Sequence, residues 1–306
     1  MTMVRIYMVR IYMQSGAYRR ALTFAAHTAG AHRDTPAGAV LYAWLLYAGG
    51  QADFAYRVLD RTELRSPGDP LTAEARARLR SSTPIADGVL LRPPWRLAPY
   101  DAGEPLPDGV RVSGTGFLLD GGRRALAPAA SLDGARRIWL RDGLGRRRAA
   151  GLERRADGIG VALLRIEEPL PSVPDRMAAP RDPFTGSPAF TVGYTASPGV
   201  TPAWPLLRIG FVGAPDGSGQ LAGLNVAPAI SDDGSPVFDN AGRLTAIVTS
   251  GSDRRTRLLP VSALRRALGE LLGAPGDTSD TGSPRIAIDE LYERALPVTL
   301  QVIVGP

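Results

Sequence analysis

The spacing of apolar residues divides the chain into two parts. Up to about residue 82, apolar side chains recur every three to four positions, as at Leu41 and Trp44, which is typical of helices. Farther along, short apolar runs alternate with Gly, Asp and Pro, which indicates strands joined by turns. We therefore predict a multidomain chain: a small all-α module over residues 1–82, a Pro-rich connector over 83–108 and an all-β domain over 109–272.

The all-β domain is expected to contain short antiparallel strands, which at these intervals are typical of a sandwich or a barrel. Seven apolar runs predict these strands: Val110 to Leu119, Arg137 to Leu140, Val161 to Ile166, Ala189 to Tyr194, Leu206 to Val212, Leu221 to Val226 and Leu244 to Ser250. A helix is predicted at Ser262 to Leu272. Residues 273–306 then form a linker and a C-terminal extension. The extension contains a short helix, Ile288 to Ala295, and an apolar strand, Val298 to Val304, that could add to a sheet.

The helical module contains an internal period. Gly16 and Gly50 are 34 positions apart, and so are Ala21 and Ala55. A glycine permits the tight turn between two helices, and a small alanine lets the second helix pack closely. The spacing resembles the tetratricopeptide repeat, although Arg33 stands where the first repeat should have a proline and a third repeat is absent.

Repeats of this family bind extended peptides on the face of their first helices, so the resemblance implies a peptide or protein partner. Carried over by position, that face would present five residues: Arg10, Gln14, Trp44, Tyr47 and Arg78. The alternative is that Trp44 and Tyr47 belong to the core between the repeats.

The residue types present exclude much nucleophilic and metal chemistry. The chain has no cysteine and two histidines, His27 and His32, and no lysine occurs in it. A Ser-His-Asp or Cys-His site, a Ser-Lys dyad and a Schiff-base lysine therefore cannot be built from residues 33–306 alone. A zinc site with the usual Cys and His ligands is excluded there too. We expect no metal and no cofactor.

Charge and the N-terminus bear on partners and location. The net charge is +6, carried entirely by arginine, and the arginines are scattered, so a nucleic-acid partner is not expected. No run approaches the ~20 apolar residues of a membrane span. The first residues read MTMVRIYMVRIYMQSG, which lacks the apolar run and cleavage site of a signal peptide. As written the chain is expected in the cytoplasm, whereas a misassigned start would leave the envelope or periplasm open.

Segments of the β part resemble, in chain order, the trypsin-like serine proteases, especially their bacterial high-temperature-requirement branch. The segments are Gly114 to Asp120, Arg124 to Ala135, Gly160 to Ile166, Thr191 to Gly199, Ser231 to Ile247 and Leu259 to Ser262. The resemblance implies a double β-barrel of the kind that carries a serine endopeptidase site.

Carried over residue by residue, the resemblance places Ala130 at the general-base histidine, Gly160 at the orienting aspartate and Asp233 at the nucleophilic serine. Alanine and glycine have no group that moves a proton. Asp233 would put negative charge where an oxyanion should be stabilised. Ser235, two residues beyond, is an unlikely nucleophile and is expected to be structural.

This pattern leads to a functional expectation. We interpret the chain as an inactive serine protease homologue, a pseudoprotease that acts as a peptide- or protein-binding or scaffold protein. The alternative is an active trypsin-like serine endopeptidase with an unconventional site that uses His27, His32 or a partner chain.

Overall fold

The computed structural model describes residues 2–31, 35–81, 105–171, 178–200, 203–215, 221–224, 233–250, 256–272 and 285–306. These ranges contain seven α-helices, five of them before residue 82. They are α1 (Thr2–Gln14), α2 (Tyr18–Ala31), α3 (Pro36–Ala48), α4 (Ala52–Arg65), α5 (Pro70–Leu79), α6 (Val261–Leu268) and α7 (Ile288–Ala295). None of the helices in these ranges has the length and apolar character to cross a membrane.

The turns of the helical module follow from its glycines and caps. Gly16 and Gly50, the two glycines of the 34-residue period, have φ angles of +82° and +81°, which glycine adopts without steric cost. Helix α5 begins with Asp69 as N-cap and Pro70 in the first turn. The Thr72 N–H donates to the Asp69 carboxylate at 2.8 Å. That α1 to α5 form tetratricopeptide repeats remains a prediction.

The β part forms two closed barrels of six strands each. The first has the order β1-β12-β3-β4-β5-β2, and the second has the order β10-β11-β8-β7-β6-β9. The strands of the first are β1 (Arg111–Leu119), β2 (Arg124–Pro128), β3 (Arg137–Asp142), β4 (Arg147–Ala156), β5 (Val161–Ile166) and β12 (Thr299–Gly305). The strands of the second are β6 (Pro188–Gly193), β7 (Leu206–Pro215), β8 (Leu221–Leu224), β9 (Pro236–Phe238), β10 (Leu244–Ser250) and β11 (Thr256–Pro260). The end of the predicted strand Leu221 to Val226 lies outside the described residues.

The first barrel takes its sixth strand from the end of the sequence. Strand β12 pairs antiparallel with β1 on one side and with β3 on the other. All seven of its residues are buried. The apolar strand predicted near Val298 is therefore a wall of this barrel, and residues 109–272 do not close the barrel by themselves. The predicted boundary at residue 272 separates strands that belong to one sheet.

Helix α3 lies at the centre of the helical module. Nine of its 13 residues are buried. It packs against each of the other four N-terminal helices and against strand β7 of the second barrel. A helix that is apolar all round must be covered on every side, and here the second barrel contributes part of that cover.

The two repeat glycines touch different barrels. A Cβ atom added at Gly16 would lie 3.2 Å from the side chain of Leu144, which follows β3 in the first barrel. A Cβ atom at Gly50 would overlap the side chain of Leu207 on β7 in the second barrel. The helical module therefore bridges the two barrels, and its buried residues belong to one apolar cluster with residues of both.

Helix α7 fills the space between the helical module and the barrels. The rings of Tyr18 and Tyr292 meet edge to face at a centroid distance of 4.6 Å. The Tyr292 hydroxyl donates to the carbonyl oxygen of Pro205 at 2.7 Å. At the surface, Arg19 pairs with Glu293 at 3.1 Å. The residues just before β12 thus fix the helices to the second barrel.

Candidate functional site at the junction of the barrels

Strand β1 joins the first barrel to the second. Val112 and Ser197 exchange backbone hydrogen bonds of 3.0 Å in both directions. The Thr115 hydroxyl accepts the Tyr194 N–H at 2.8 Å and donates to the Tyr194 carbonyl oxygen at 3.2 Å. The Thr115 N–H donates to the carbonyl oxygen of Asp233 at 3.1 Å. This strand therefore holds the segment that contains Asp233 against the junction.

The segments that carry Ala130, Gly160 and Asp233 meet at this junction. The Ala129 N–H donates to the carbonyl oxygen of Gly160 at 2.9 Å. A Cβ atom at Gly234 would lie 2.6 Å from the ring of Pro128, two residues before Ala130. Three segments far apart in sequence are thus neighbours. That Ala130, Gly160 and Asp233 stand at the positions of a catalytic triad remains a prediction.

Two of these positions carry no group that can transfer a proton. Ala130 is exposed at the start of a 3₁₀ turn, and Gly160 has a φ angle of +70°. One charged side chain near them is Arg155, which donates to the carbonyl oxygen of Ala129 at 3.3 Å and to Asp133 at 3.0 Å. A guanidinium stays protonated and has no acceptor, so it cannot act as a general base.

The Asp233 carboxylate is bound within the second barrel. Its Oδ1 accepts the Ser250 N–H at 2.9 Å. Burial raises the pKa of Asp233 to about 6, and hydrogen bonds from the N–H groups of Ser250 and Gly234 oppose that rise. The rise shows that the two amides do not fully compensate the carboxylate for the water it has lost.

This carboxylate continues the hydrogen-bond ladder beside β10. Strand β9 pairs with β10 only as far as Ile247. Beyond it, the Gly234 N–H donates to the Val248 carbonyl oxygen at 2.8 Å, and the Val248 N–H donates to the Ser235 carbonyl oxygen at 2.9 Å. The next backbone N–H on the same side of β10 is that of Ser250, and it donates to the carboxylate of Asp233. Asp233 therefore occupies the backbone donor that an added strand would use at this end of β10.

Ser235 is enclosed in the protein interior. It is 1% exposed, and its Oγ has no hydrogen-bond partner in the described part of the chain. A Cβ atom at Gly193 would overlap that oxygen and would lie 2.9 Å from the Ser235 Cβ. A hydroxyl in this position cannot reach a substrate carbonyl from the cleft.

The five candidate peptide-binding residues of the helices do not share an open face. Trp44 is 2% exposed and Arg10 is 6% exposed, so both lie in the interior. Gln14, Tyr47 and Arg78 are half-buried, and Arg78 pairs with Glu74. Burial raises the pKa of Tyr47, in agreement with its enclosure. Trp44 thus belongs to the core, which is the alternative that the sequence left open.

Some residues of the junction have no signal in the sequence. Ser250 and Gly193 contact Asp233 and Ser235 across long stretches of chain, and each ends or follows a strand like many other residues. His27 lies exposed on α2, whereas His32, Ser231 and Asp232 fall outside the described residues. These contacts join the ends of different strands, so they cannot be predicted until the register of the strands in the barrel is known.

Several solved structures are similar to this fold. The protease domain of MamO from Magnetospirillum magneticum (apo form) is 18% identical, with a TM-score of 0.43 over 54% of this chain and 97% of that one. A serine-to-alanine mutant of Rv3671c from M. tuberculosis H37Rv, in an inactive form, is 18% identical, with a TM-score of 0.40 over 53% and 85%. The HtrA-type protease AlgW with a decapeptide is 19% identical, with a TM-score of 0.41 over 51% and 50%.

The chain spans half the length of AlgW. No protein-family model and no curated protein matches the sequence.

Proposed function

We propose that this chain is a catalytically inactive homologue of the trypsin-like serine proteases that acts as a peptide- or protein-binding or scaffold protein. One observation carries the proposal: the position aligned with the nucleophile holds Asp233, whose carboxylate is bound to the Ser250 N–H. Beside it, Ala130 and Gly160 provide neither a base nor a group to orient one. Among the described residues of this junction, no histidine lies beside a serine to act as its base.

The binding role is supported by the end of β10, where, within the described residues, the Ser250 N–H donates to a side chain. A closed barrel offers no edge strand for another chain to join. The pairing of β9 with β10 stops at Ile247, however, and the Ser250 N–H of β10 donates to the Asp233 carboxylate. An extended peptide could pair with the end of β10 by backbone hydrogen bonds, which needs no catalysis. It would have to displace the Asp233 carboxylate, so the chain itself competes with the peptide.

Loss of catalysis is tested by labelling with a fluorophosphonate. We expect no covalent labelling of the wild-type chain. The triple variant Ala130→His, Gly160→Asp, Asp233→Ser should be labelled at position 233. The change at position 160 should be tolerated, because aspartate adopts the positive φ angle of Gly160 more readily than most residues. Labelling of the wild-type chain at Ser235 would instead establish an active serine endopeptidase. A folded triple variant that stays unlabelled would show that the three positions do not form a triad.

Peptide binding is tested by fluorescence anisotropy with a library of extended peptides. We expect Asp233→Ala to bind about tenfold more tightly than the wild type, because the Ser250 N–H is freed. Asp60→Ala is the matched control, since it removes an exposed carboxylate from the helical module. Equal binding by wild type and Asp233→Ala would place the peptide away from β10. A library without any binder for either chain would contradict the binding role.

A further inference from the structure

A cavity of about 260 Å³ lies outside the barrel junction. Its walls are the segment 179–188, the turn 239–245 between β9 and β10, and Arg285. Asp239 in its wall follows strand β9, whereas Asp233 of the junction precedes that strand. The volume is near the lower end of the range for small-molecule sites, about 300–1,000 Å³.

The two carboxylates in the cavity wall are already engaged by the protein. Asp182 accepts both the N–H of Ser262, at 2.8 Å, and its hydroxyl, at 2.6 Å. Asp239 accepts the N–H groups of Ala241 and Arg243 and the Arg243 Nε, all within 3.0 Å. Each carboxylate therefore has its donors within the chain, and neither needs a cation from solution.

Two arginines of the wall are not engaged in this way. Within the described residues no carboxylate lies at ion-pair distance from Arg181 or Arg285, although both side chains line the cavity. The Arg181 guanidinium lies 5.9 Å from the centre of the Phe184 ring. A guanidinium near an aromatic ring is ordered by it and keeps its N–H donors available in its own plane. The cavity thus offers donors for an anion.

Part of the remaining wall is apolar and open. Pro180, Pro183 and Pro188 line it together with Phe184, whose side chain is 61% exposed. An apolar surface that stays wet gains free energy when a ligand covers it. A ligand that suits both parts of the wall has an apolar body and one negative end.

We propose that this cavity binds a small amphiphilic carboxylate. Arg181 and Arg285 donate hydrogen bonds to its negative end, and the prolines and Phe184 contact its apolar body. Arginine suits this task because its planar fork donates two parallel hydrogen bonds to a carboxylate. The same chemistry is offered by a free acid with an aryl or alkyl chain and by the carboxyl end of a peptide with an apolar last residue.

Isothermal titration calorimetry on the full chain tests the proposal with two pairs of probes. The first pair is 4-phenylbutyrate and its amide, and the second is the tripeptide acetyl-Ala-Ala-Phe with a free or an amidated carboxyl group. We expect each acid that binds to bind at least about tenfold more tightly than its amide, because the amide loses the charge-assisted bonds. Tighter binding of the phenylbutyrate identifies a free acid as the ligand source, and tighter binding of the tripeptide identifies a peptide end.

Variants identify the residues responsible. Arg181→Ala and Arg285→Ala should each weaken binding of the preferred acid about tenfold, and Phe184→Ala should weaken acid and amide alike. Arg165→Ala, which removes an exposed arginine from β5, is the matched control and should leave binding unchanged. Equal affinity for acid and amide, no effect of either arginine, or no binding of either acid at millimolar concentration would overturn the proposal. The triple variant at positions 130, 160 and 233 should bind as the wild type does, so this test is independent of the proposed loss of catalysis.

Discussion

The charge of Asp233 bears on the stability of the fold. Burial raises its pKa from 3.8 to about 6, so the folded chain holds the proton more tightly than the unfolded chain. Its contribution to stability is therefore full below the unfolded pKa, near 4, and is lost as the pH rises through 6. We expect Asp233→Asn to gain up to about 3 kcal/mol relative to the wild type between pH 4 and pH 7. Urea unfolding of both chains at the two pH values measures this difference, and a constant difference would contradict it.

Ser235 and Gly193 lie in contact, and substitutions at the two positions should change the free energy of unfolding by different amounts. Ser235→Ala removes a buried hydroxyl that has no partner in the described residues, so we expect a change within about 1 kcal/mol, in either direction. Gly193→Ala adds a methyl group where Ser235 already lies, which should cost about 1–3 kcal/mol. The double variant should recover part of that loss. Guanidinium unfolding of the three variants tests this, and strict additivity of the two changes would contradict it.

The residue types that the chain lacks can be read from the sequence, but the contacts of Asp233 cannot. Residues 33–306 contain no histidine or lysine, so they cannot supply the usual base beside a nucleophile. The family resemblance aligns Ala130 with that base and Gly160 with the residue that orients it. The bond from Ser250 to Asp233 depends on where β9 ends relative to β10. That is a matter of register between strands, and no local pattern encodes it.

Among the elements, β12 has the clearest consequence for stability. It lies between β1 and β3, so a chain that ends at residue 296 would leave two edges exposed in the first barrel. We expect this shortened chain to lose its cooperative thermal transition and to aggregate, and a synthetic peptide of residues 297–306 to restore the fold in part. Circular dichroism and size-exclusion chromatography measure both effects. Removal of the exposed Pro306 alone is the control, and a stable shortened chain would contradict the expectation.

Prediction of the elements succeeded where local signals were strong. The helices near Ser262 and Ile288 could be predicted from neighbouring residues alone. The pattern of apolar runs alone did not mark four strands: β2, β9 and β11 have only three to five residues, and β4 is interrupted by arginines. The strand near Val298 was expected, but its place between β1 and β3 depends on contacts almost 200 residues apart along the chain.

At the scale of the molecule, the contact between the helices and the barrels is expected to make the chain one cooperative unit. Gly50→Ala should cost about 3 kcal/mol or more, because Gly50 has a positive φ angle and no space for a Cβ atom against Leu207. Gly68→Ala is the matched control: Gly68 also has a positive φ angle, but no atom lies within 4 Å of an added Cβ, so it should cost about 1 kcal/mol. Thermal unfolding followed by calorimetry should show one transition for the wild type and a lower midpoint for Gly50→Ala. Two separate wild-type transitions would show that the helices and barrels unfold independently.

The position of β12 also bears on how the protein is made. Five strands of the first barrel are complete once Ile166 has been synthesised, but the sixth begins at Thr299. At 5–20 residues per second the ribosome needs roughly 7–27 s to add the intervening residues. During that time β1 and β3 carry unpaired backbone groups in a crowded solution. We therefore expect the exposed edges of β1 and β3 in the nascent chain to need protection from aggregation until β12 has been synthesised.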